Sequence, residues 1–365
     1  MTTPIIALLG CKDVPTDAVE QYCRYLGAAL RSHDLEMKIR RVPWEILGWR
    51  DALNALRLQA ASWRGRWVLI QYTALAWSAR GFPYKFSRVL QILKSAGARI
   101  GIVFHDVEPF RDPRLVDRLR TRVQLHAMRR ALAAADLAIF TIPLEKLTWI
   151  SGSSSRAHFI PVGPNLPIPI PSEQDFSRAA NISATPTIGV FIITGGDPGA
   201  RETKNILAAV RYAAQKLGKL RLFVFGRHAE LREAVLREGL RDLPVELSAE
   251  GVLDDQQVID RLRAVDVLLF VRAPISTRRS SAIAGIAAGV PMVAFAGAET
   301  TWPITDAGVL LASPGNPAEL QEALVRVLSD PELRASLCQK SAVAYREHFS
   351  WPAIATRFAS LLRSA

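Results

Sequence analysis

The sequence predicts an α/β protein built from two Rossmann-like halves, on three observations. Apolar runs of strand length alternate with helix-period segments along all 365 residues, the pattern of parallel sheets covered by helices. The length suits two domains at roughly 100 to 200 residues each. A stretch rich in Pro and Ser, without helical or strand period, separates the halves. At 49% hydrophobic and 22% charged residues, the composition supports a large core and excludes disordered, collagen-like and coiled-coil chains.

In the first half, strands are expected near Ile5 to Gly10, Glu36 to Val42, Trp67 to Tyr72, Arg99 to Phe104, Leu137 to Ile142 and Ala157 to Val162. Amphipathic helices such as Ala18 to Arg31 and Tyr84 to Ala96 fit between them. The run PVGPNLPIPIPSEQDF then leads into a linker expected at 171–186. A second series of strands follows near Ile188 to Thr194, Arg221 to Phe225, Val245 to Glu250, Val265 to Val271 and Val290 to Phe295. Helices near Lys204 to Leu217, Asp254 to Ala264 and Pro317 to Leu328 alternate with them. The domains are therefore expected at 1–170 and 187–349, with a terminal helix in 350–365.

The N-terminal run MTTPIIALLGC has no basic residue ahead of it and reads as a first buried strand, not a secretory signal. The uncharged run Ser280 to Ala298 is broken by Gly285, Gly289 and Pro291, so a helix, a turn and a strand explain it better than a membrane span. The cysteines Cys11, Cys23 and Cys338 form no CxxC pair and no zinc set; they fit a reducing compartment.

Charge is unevenly spread. Residues 1–160 hold 24 Lys plus Arg against 13 Asp plus Glu, a net of +11; residues 161–365 hold 22 against 21, a net of +1. A solvated basic face accounts for this, and so does attraction to an anionic membrane surface or substrate. Nucleic acid is not expected, because no RNP, KH, helix-turn-helix or zinc-finger signature accompanies the charge.

In open α/β sheets ligands sit beyond the carboxyl ends of strands, so the turns after strands carry the functional reading. GGDPGARETKN supplies Gly195, Gly196 and Gly199 ahead of a helix expected to start near Thr203, with Arg201 and Lys204 at its mouth. It reads either as a phosphate site or as an ordinary loop with solvated cations. In RAPISTRRSS, Ser276 or Thr277 is expected to cap an Ala-rich helix whose first turn holds Arg278, Arg279, Ser280 and Ser281. Cations there oppose the helix dipole by a few tenths of a kcal/mol each unless an anion is bound, which points to a diphosphate. His105 and Asp106 end one strand, where an imidazole contacts sugar hydroxyls, moves a proton, or is structural. The first turn, GCKDVPTDAVEQY, places Lys12, Asp13, Thr16 and Asp17 at the same edge and also reads as an N-cap turn.

The ordered set TDAVEQYCRYLGAAL, IVFHD, ADLAIFTIP, FIPVGPN, TGGDPGARETKN, LFVFGRH, DVLLFVRAPISTRRSSAIAGIAAGVPMVAF and FSWPAIATRFASLL resembles the GT-B glycosyltransferases of family 4 over nearly the whole chain. The resemblance implies an acceptor-side first domain and a nucleotide-sugar-binding second domain facing each other across a cleft. The terminal helix would cross back to the first domain from Trp351 to Leu362. It implies an enzyme that transfers sugar from a UDP or GDP sugar to a polysaccharide, lipid-linked or small-molecule acceptor; together with the basic first domain, it is expected to be cytoplasmic and peripheral at the inner membrane face. The transfer would retain configuration and need no metal, since no DxD motif is present. By position, Lys204 and Arg201 would grip the diphosphate and His105 would contact the transferred sugar. Asp17 would lie near the reacting centre, and Gly226 would border the nucleobase. The family's paired glutamates fall at Ser276 and Ala284, neither acidic, so the STRRSS turn would replace the usual ribose grip. A nucleotide-sugar epimerase would be expected to show more carboxylates. A non-catalytic subunit scaffolding a partner transferase is the alternative that the missing glutamates favour.

Overall fold

The computed structural model describes residues 4–12, 17–110, 115–150, 155–170 and 185–365. Asp13 and Thr16 of the first turn, and 171–184 of the expected linker, lie outside the described residues. By contacts the chain divides into two compact units, Met1–Pro161 with Trp351–Ala365, and Val162–Ser350.

The first unit is a six-stranded parallel sheet of β1 (Ile5–Leu9), β2 (Met37–Arg41), β3 (Trp67–Tyr72), β4 (Arg99–Phe104), β5 (Leu137–Phe140) and β6 (Ala157–Phe159), ordered β2-β1-β3-β4-β5-β6. The central strands are continuous apolar runs because helices cover both faces. IIALL and WVLIQY are buried along their full length, whereas edge strand β2 alternates exposed Lys38 and Arg40 with half-buried residues. Right-handed crossovers put α2 (Trp44–Ala60), α3 (Phe86–Ser95) and α4 (Leu115–Ala134) on one face and α1 (Ala18–Leu30) on the other. Gly48 takes φ 73° and breaks α2 after its first turn.

The second unit repeats the plan with β7 (Thr187–Phe191), β8 (Leu220–Phe225), β9 (Val245–Glu250), β10 (Val267–Phe270), β11 (Met292–Phe295) and β12 (Val309–Ala312), ordered β12-β11-β10-β7-β8-β9. Its helices are α5 (Gly196–Leu217), α6 (Glu233–Leu240), α7 (Asp255–Arg263), α8 (Ser280–Ala287), α9 (Pro317–Ser329) and α10 (Pro331–Ala344). Strand β12 is not apparent from sequence: VLLA is only four residues long and sits at a sheet edge. Val162 N–H donates to Thr277 O at 3.0 Å and Tyr345 OH to Ile168 O at 2.7 Å. Residues 162–170 are therefore tied to the second unit, and the first stops at Pro161, not at 170.

The last helix, α11 (Trp351–Ser364), belongs to the first unit and packs on α1. Trp351 meets the Tyr22 ring at 5.3 Å and Tyr25 at 5.6 Å, and Trp67 Nε1–H donates to Leu362 O at 3.0 Å. Fully burying a side chain such as Ile354 or Phe358 contributes about 1.5–3 kcal/mol, which holds the helix there.

Candidate functional site

The carboxyl ends of β7, β8 and β10 converge in the second unit. Beyond β7 and β8 the backbone turns through Ile192 and His228 at φ 68° and 66°. A left-handed Ile is an outlier for a β-branched residue and marks stored strain. The turns are laced together by Ile192 N–H to Phe225 O at 2.8 Å and Ile193 N–H to Arg227 O at 3.1 Å. Gly226 takes φ 91°, and a Cβ there would meet Ile192 Cγ1 at 3.1 Å. The His228 ring lies over Gly195, 3.3 Å from where a Cβ would stand.

Helix α5 begins at Gly196, with Gly195 as N-cap, and not near Thr203. Pro198 has the φ of a first helical turn, and Gly199 can pack against Thr194 O only because it lacks a Cβ, which would lie 1.8 Å away. Buried Glu202 accepts from Thr194 N–H at 2.8 Å and holds the turn on the helix. Arg201 and Lys204 consequently sit on the exposed side of α5, Lys204 about 12 Å along the axis from Gly196. Among the described residues neither makes an ion pair.

The turn after β10 also departs from expectation. Helix α8 starts at Ser280, its N-cap position is Arg279, and no side chain caps it. Ser276 and Thr277 do not act as caps; they are wholly buried before the helix. Arg278 also precedes the helix and pairs with Glu299 through Nε–Oε2 at 2.7 Å and Nη2–Oε1 at 3.0 Å. Burial pushes the Glu299 carboxyl up, but Arg278 outweighs it and the net shift is downward. Arg279 has no such partner: its Nε is buried without a hydrogen bond. Burial, then the neighbouring charges of Arg278 and Arg272, bring its pKa down to about 10, against the opposing pull of Glu299 and Glu202. Arg272 is lowered in the same way by burial and by Arg227, with Glu202 opposing. Arg272, Arg278 and Arg279 thus share the field of Glu202 and Glu299, a concentration of guanidiniums suited to a polyanion.

Sequence reasoning passed over Arg227, Arg272, Glu202 and Glu299. Arg272 was detectable as the second residue past β10, on a carboxyl edge; the carboxylates were not, because their partners are distant in sequence. Gly195, Gly196, Gly226 and the Arg278–Ser281 segment lie on these carboxyl-edge turns. Ser276 and Thr277 form part of the buried floor.

In the first unit, His105 follows β4. Its Nε2–H faces Gln71 Oε1 at 2.9 Å, the amide being oriented by Gln71 Nε2–H to Leu69 O at 3.3 Å. This leaves Nδ1 as an acceptor. Tyr22 packs edge-on to the ring at 4.9 Å. Burial brings the imidazole down to about 4, with the Asp17 charge opposing, so the ring is neutral at pH 7. Gln71, the one polar residue of WVLIQY, was the available signal for this pairing. Asp17 is the N-cap of α1: Oδ1 accepts from Val19 and Glu20 N–H at 3.1 and 2.9 Å, and Oδ2 from Arg41 Nη2 at 2.6 Å.

Among the described residues, no group of three or more His, Cys, Asp or Glu side chains is arranged to hold a metal ion. Nor is any helix there long and apolar enough to cross a membrane.

No protein-family model and no curated protein matches the sequence. Solved structures do. HepE of Anabaena, in complex with UDP and glucose, superposes with a TM-score of 0.66 at 16% identity over 100% of both chains. Sucrose-phosphate synthase of Thermosynechococcus elongatus gives 0.67 at 18% over 99% of both. A glycosyltransferase from Rickettsia africae gives 0.67 at 13% over 100% of both. The chain has the GT-B fold of these proteins.

Proposed function

We propose that this GT-B chain is a glycosyltransferase that moves a sugar from a nucleoside-diphosphate donor to a glycan, lipid-linked or small-molecule acceptor. The observation that carries the reading is Arg279, a half-buried guanidinium whose Nε is buried without a hydrogen bond, beside Arg272 at the carboxyl edge of β10. A desolvated guanidinium N–H without a hydrogen-bond partner is costly and is tolerated where a ligand supplies one. A donor diphosphate fits that need, and the glycosyltransferase neighbours, HepE with UDP and glucose among them, support this choice of polyanion.

In this reading the bond between the anomeric carbon and the β-phosphate oxygen breaks, and the acceptor oxygen bonds to that carbon. The acceptor proton leaves toward the departing phosphate. Arg272 and Arg279 stabilise negative charge developing on the leaving group, without an obligatory metal. Lys204 and Arg201 reach the same anion from the exposed side of α5, and the turns at Gly195, Gly196 and Gly226 border the nucleotide. Ser280 and Ser281 open α8, whose N-terminal amides add to the anion site. His105, neutral and held by Gln71, accepts a hydroxyl of the transferred sugar at Nδ1; so weak a base positions the sugar and takes no proton. Asp17 fixes α1 and Arg41 and positions the turn near His105. Retention of configuration, a UDP or GDP donor, and action at an inner membrane face belong to the same proposal.

The scaffold alternative has one observation in its favour. Ala284 and Ser276, where family glutamates would stand, are wholly buried and offer a ribose nothing. Thermal stabilisation by UDP, GDP, ADP, dTDP and CMP and their sugars, repeated with Lys204→Ala, separates the two. A shift for one nucleotide that shrinks in the variant supports the transferase. No shift with any of them supports the scaffold.

A further inference from the structure

We propose that the α2–α3–α4 face of the first unit is a docking surface for a bilayer containing anionic lipid. The proposal rests on the reading of the protein as acting at a membrane, and it assigns that contact to particular helices. Helix α3 lies between α2 and α4, and the two grooves it forms are lined by cations. Arg50, Arg57, Arg64, Lys85 and Arg88 line the groove toward α2. Lys94, Arg122 and Arg130 rim the groove of about 610 Å³ toward α4, over a floor that includes Leu90 and Ala127.

Among the described residues, no Asp or Glu lines either groove, and none of these eight cations makes an ion pair. The sequence from 51 to 100 contains eight Lys or Arg and a single acid, Asp51. A face of unneutralised cations complements an anionic surface.

Its apolar elements choose a bilayer over a soluble polyanion. Lys85 Nζ stands 5.9 Å from the Trp49 ring and 5.8 Å from the Tyr84 ring, and Tyr84 is 66% exposed. Trp49 is stacked on Trp44 at 5.2 Å, which holds its ring in place. Ile46 and Leu47, on the turn before the Gly48 break, are 85% and 47% exposed. Amphipathic aromatics beside long cations, with aliphatic side chains next to them, suit the headgroup–acyl boundary. A polyanion in water would leave the aliphatic groups wet.

Flotation of the full chain with phosphatidylcholine vesicles, with and without phosphatidylglycerol, tests this at low and high salt. The expected result is binding to the mixed vesicles at low salt, release at high salt, and none to phosphatidylcholine alone. The quadruple variant Arg57→Ser, Arg88→Ser, Arg122→Ser, Arg130→Ser should bind more weakly by about fivefold per residue, several-hundredfold in all. Its circular dichroism and melting temperature verify folding. Tyr84→Ser should weaken binding at equal charge. The proposal is overturned if the wild type ignores mixed vesicles at low salt, or if the quadruple variant binds them equally well. Binding to dextran sulfate without binding to vesicles overturns it in favour of a soluble polyanion. The nucleotide-induced thermal shift should survive in the quadruple variant. If the wild type binds vesicles but shows no nucleotide shift, the donor-site reading fails and the docking surface stands.

Discussion

Replacing Arg279 by methionine is expected to stabilise the second unit while weakening its hold on a nucleoside diphosphate. The guanidinium is charged at pH 7 in folded and unfolded chains alike, so its lowered pKa measures the cost of folding that charge. The drop from the ordinary guanidinium value to about 10 is about 2.5 pH units, or about 3 kcal/mol at 1.36 kcal/mol each. Local hydration relieves part of this, so about 1–3 kcal/mol should be regained by a side chain of similar volume and no charge. For a unit spanning 162–350, each kcal/mol raises the melting temperature by about 2–4 °C. Thermal melts of both proteins, with and without the nucleotide that shifts the wild type, read both effects at once. The variant should melt higher without nucleotide and gain less from it. A variant that melts lower would mean that the guanidinium is satisfied within the fold. An undiminished nucleotide shift would remove Arg279 from the donor site.

His105→Asn should lower turnover more than nucleotide affinity, and equal turnover would take His105 out of the site. Because its folded pKa lies near 4 against an ordinary 6.5, the unfolded chain binds a proton first as pH falls. Stability should therefore drop between pH 6.5 and 4, by on the order of 1–2 kcal/mol at pH 5, and the variant's melting temperature should show a shallower pH dependence there. Gly199→Ala places a Cβ 1.8 Å from Thr194 O and should destabilise the second unit by about 1–3 kcal/mol in urea unfolding. Trp67→Phe removes the hydrogen bond to Leu362 O; hydrogen exchange should then show weaker protection of α11, by about 1 kcal/mol.

The sequence alone determined the two α/β halves and the order of most strands, because continuous apolar runs such as IIALL and WVLIQY read as buried parallel strands wherever they pack. It also located the turns that carry Gly195, Gly226, His105 and the arginine pair, since carboxyl-edge turns follow from strand order. Helix starts were less legible. Expecting α5 near Thr203 failed because Gly and Pro normally argue against a helix, whereas here Gly199 is required by the close approach of Thr194 O. Hydroxyls were expected to cap α8, but Ser276 and Thr277 are drawn into the core ahead of it.

Only the tertiary structure decided which charges are neutralised. Arg278 and Arg279 are adjacent and chemically identical, yet one forms a two-point pair with Glu299, twenty-one residues away in sequence, and the other keeps a buried Nε without a hydrogen bond. Asp17 likewise becomes a cap and the partner of Arg41, and His105 a neutral ring on Gln71. Pairing and desolvation depend on distances between residues remote in the chain, and local periodicity carries no information about those distances.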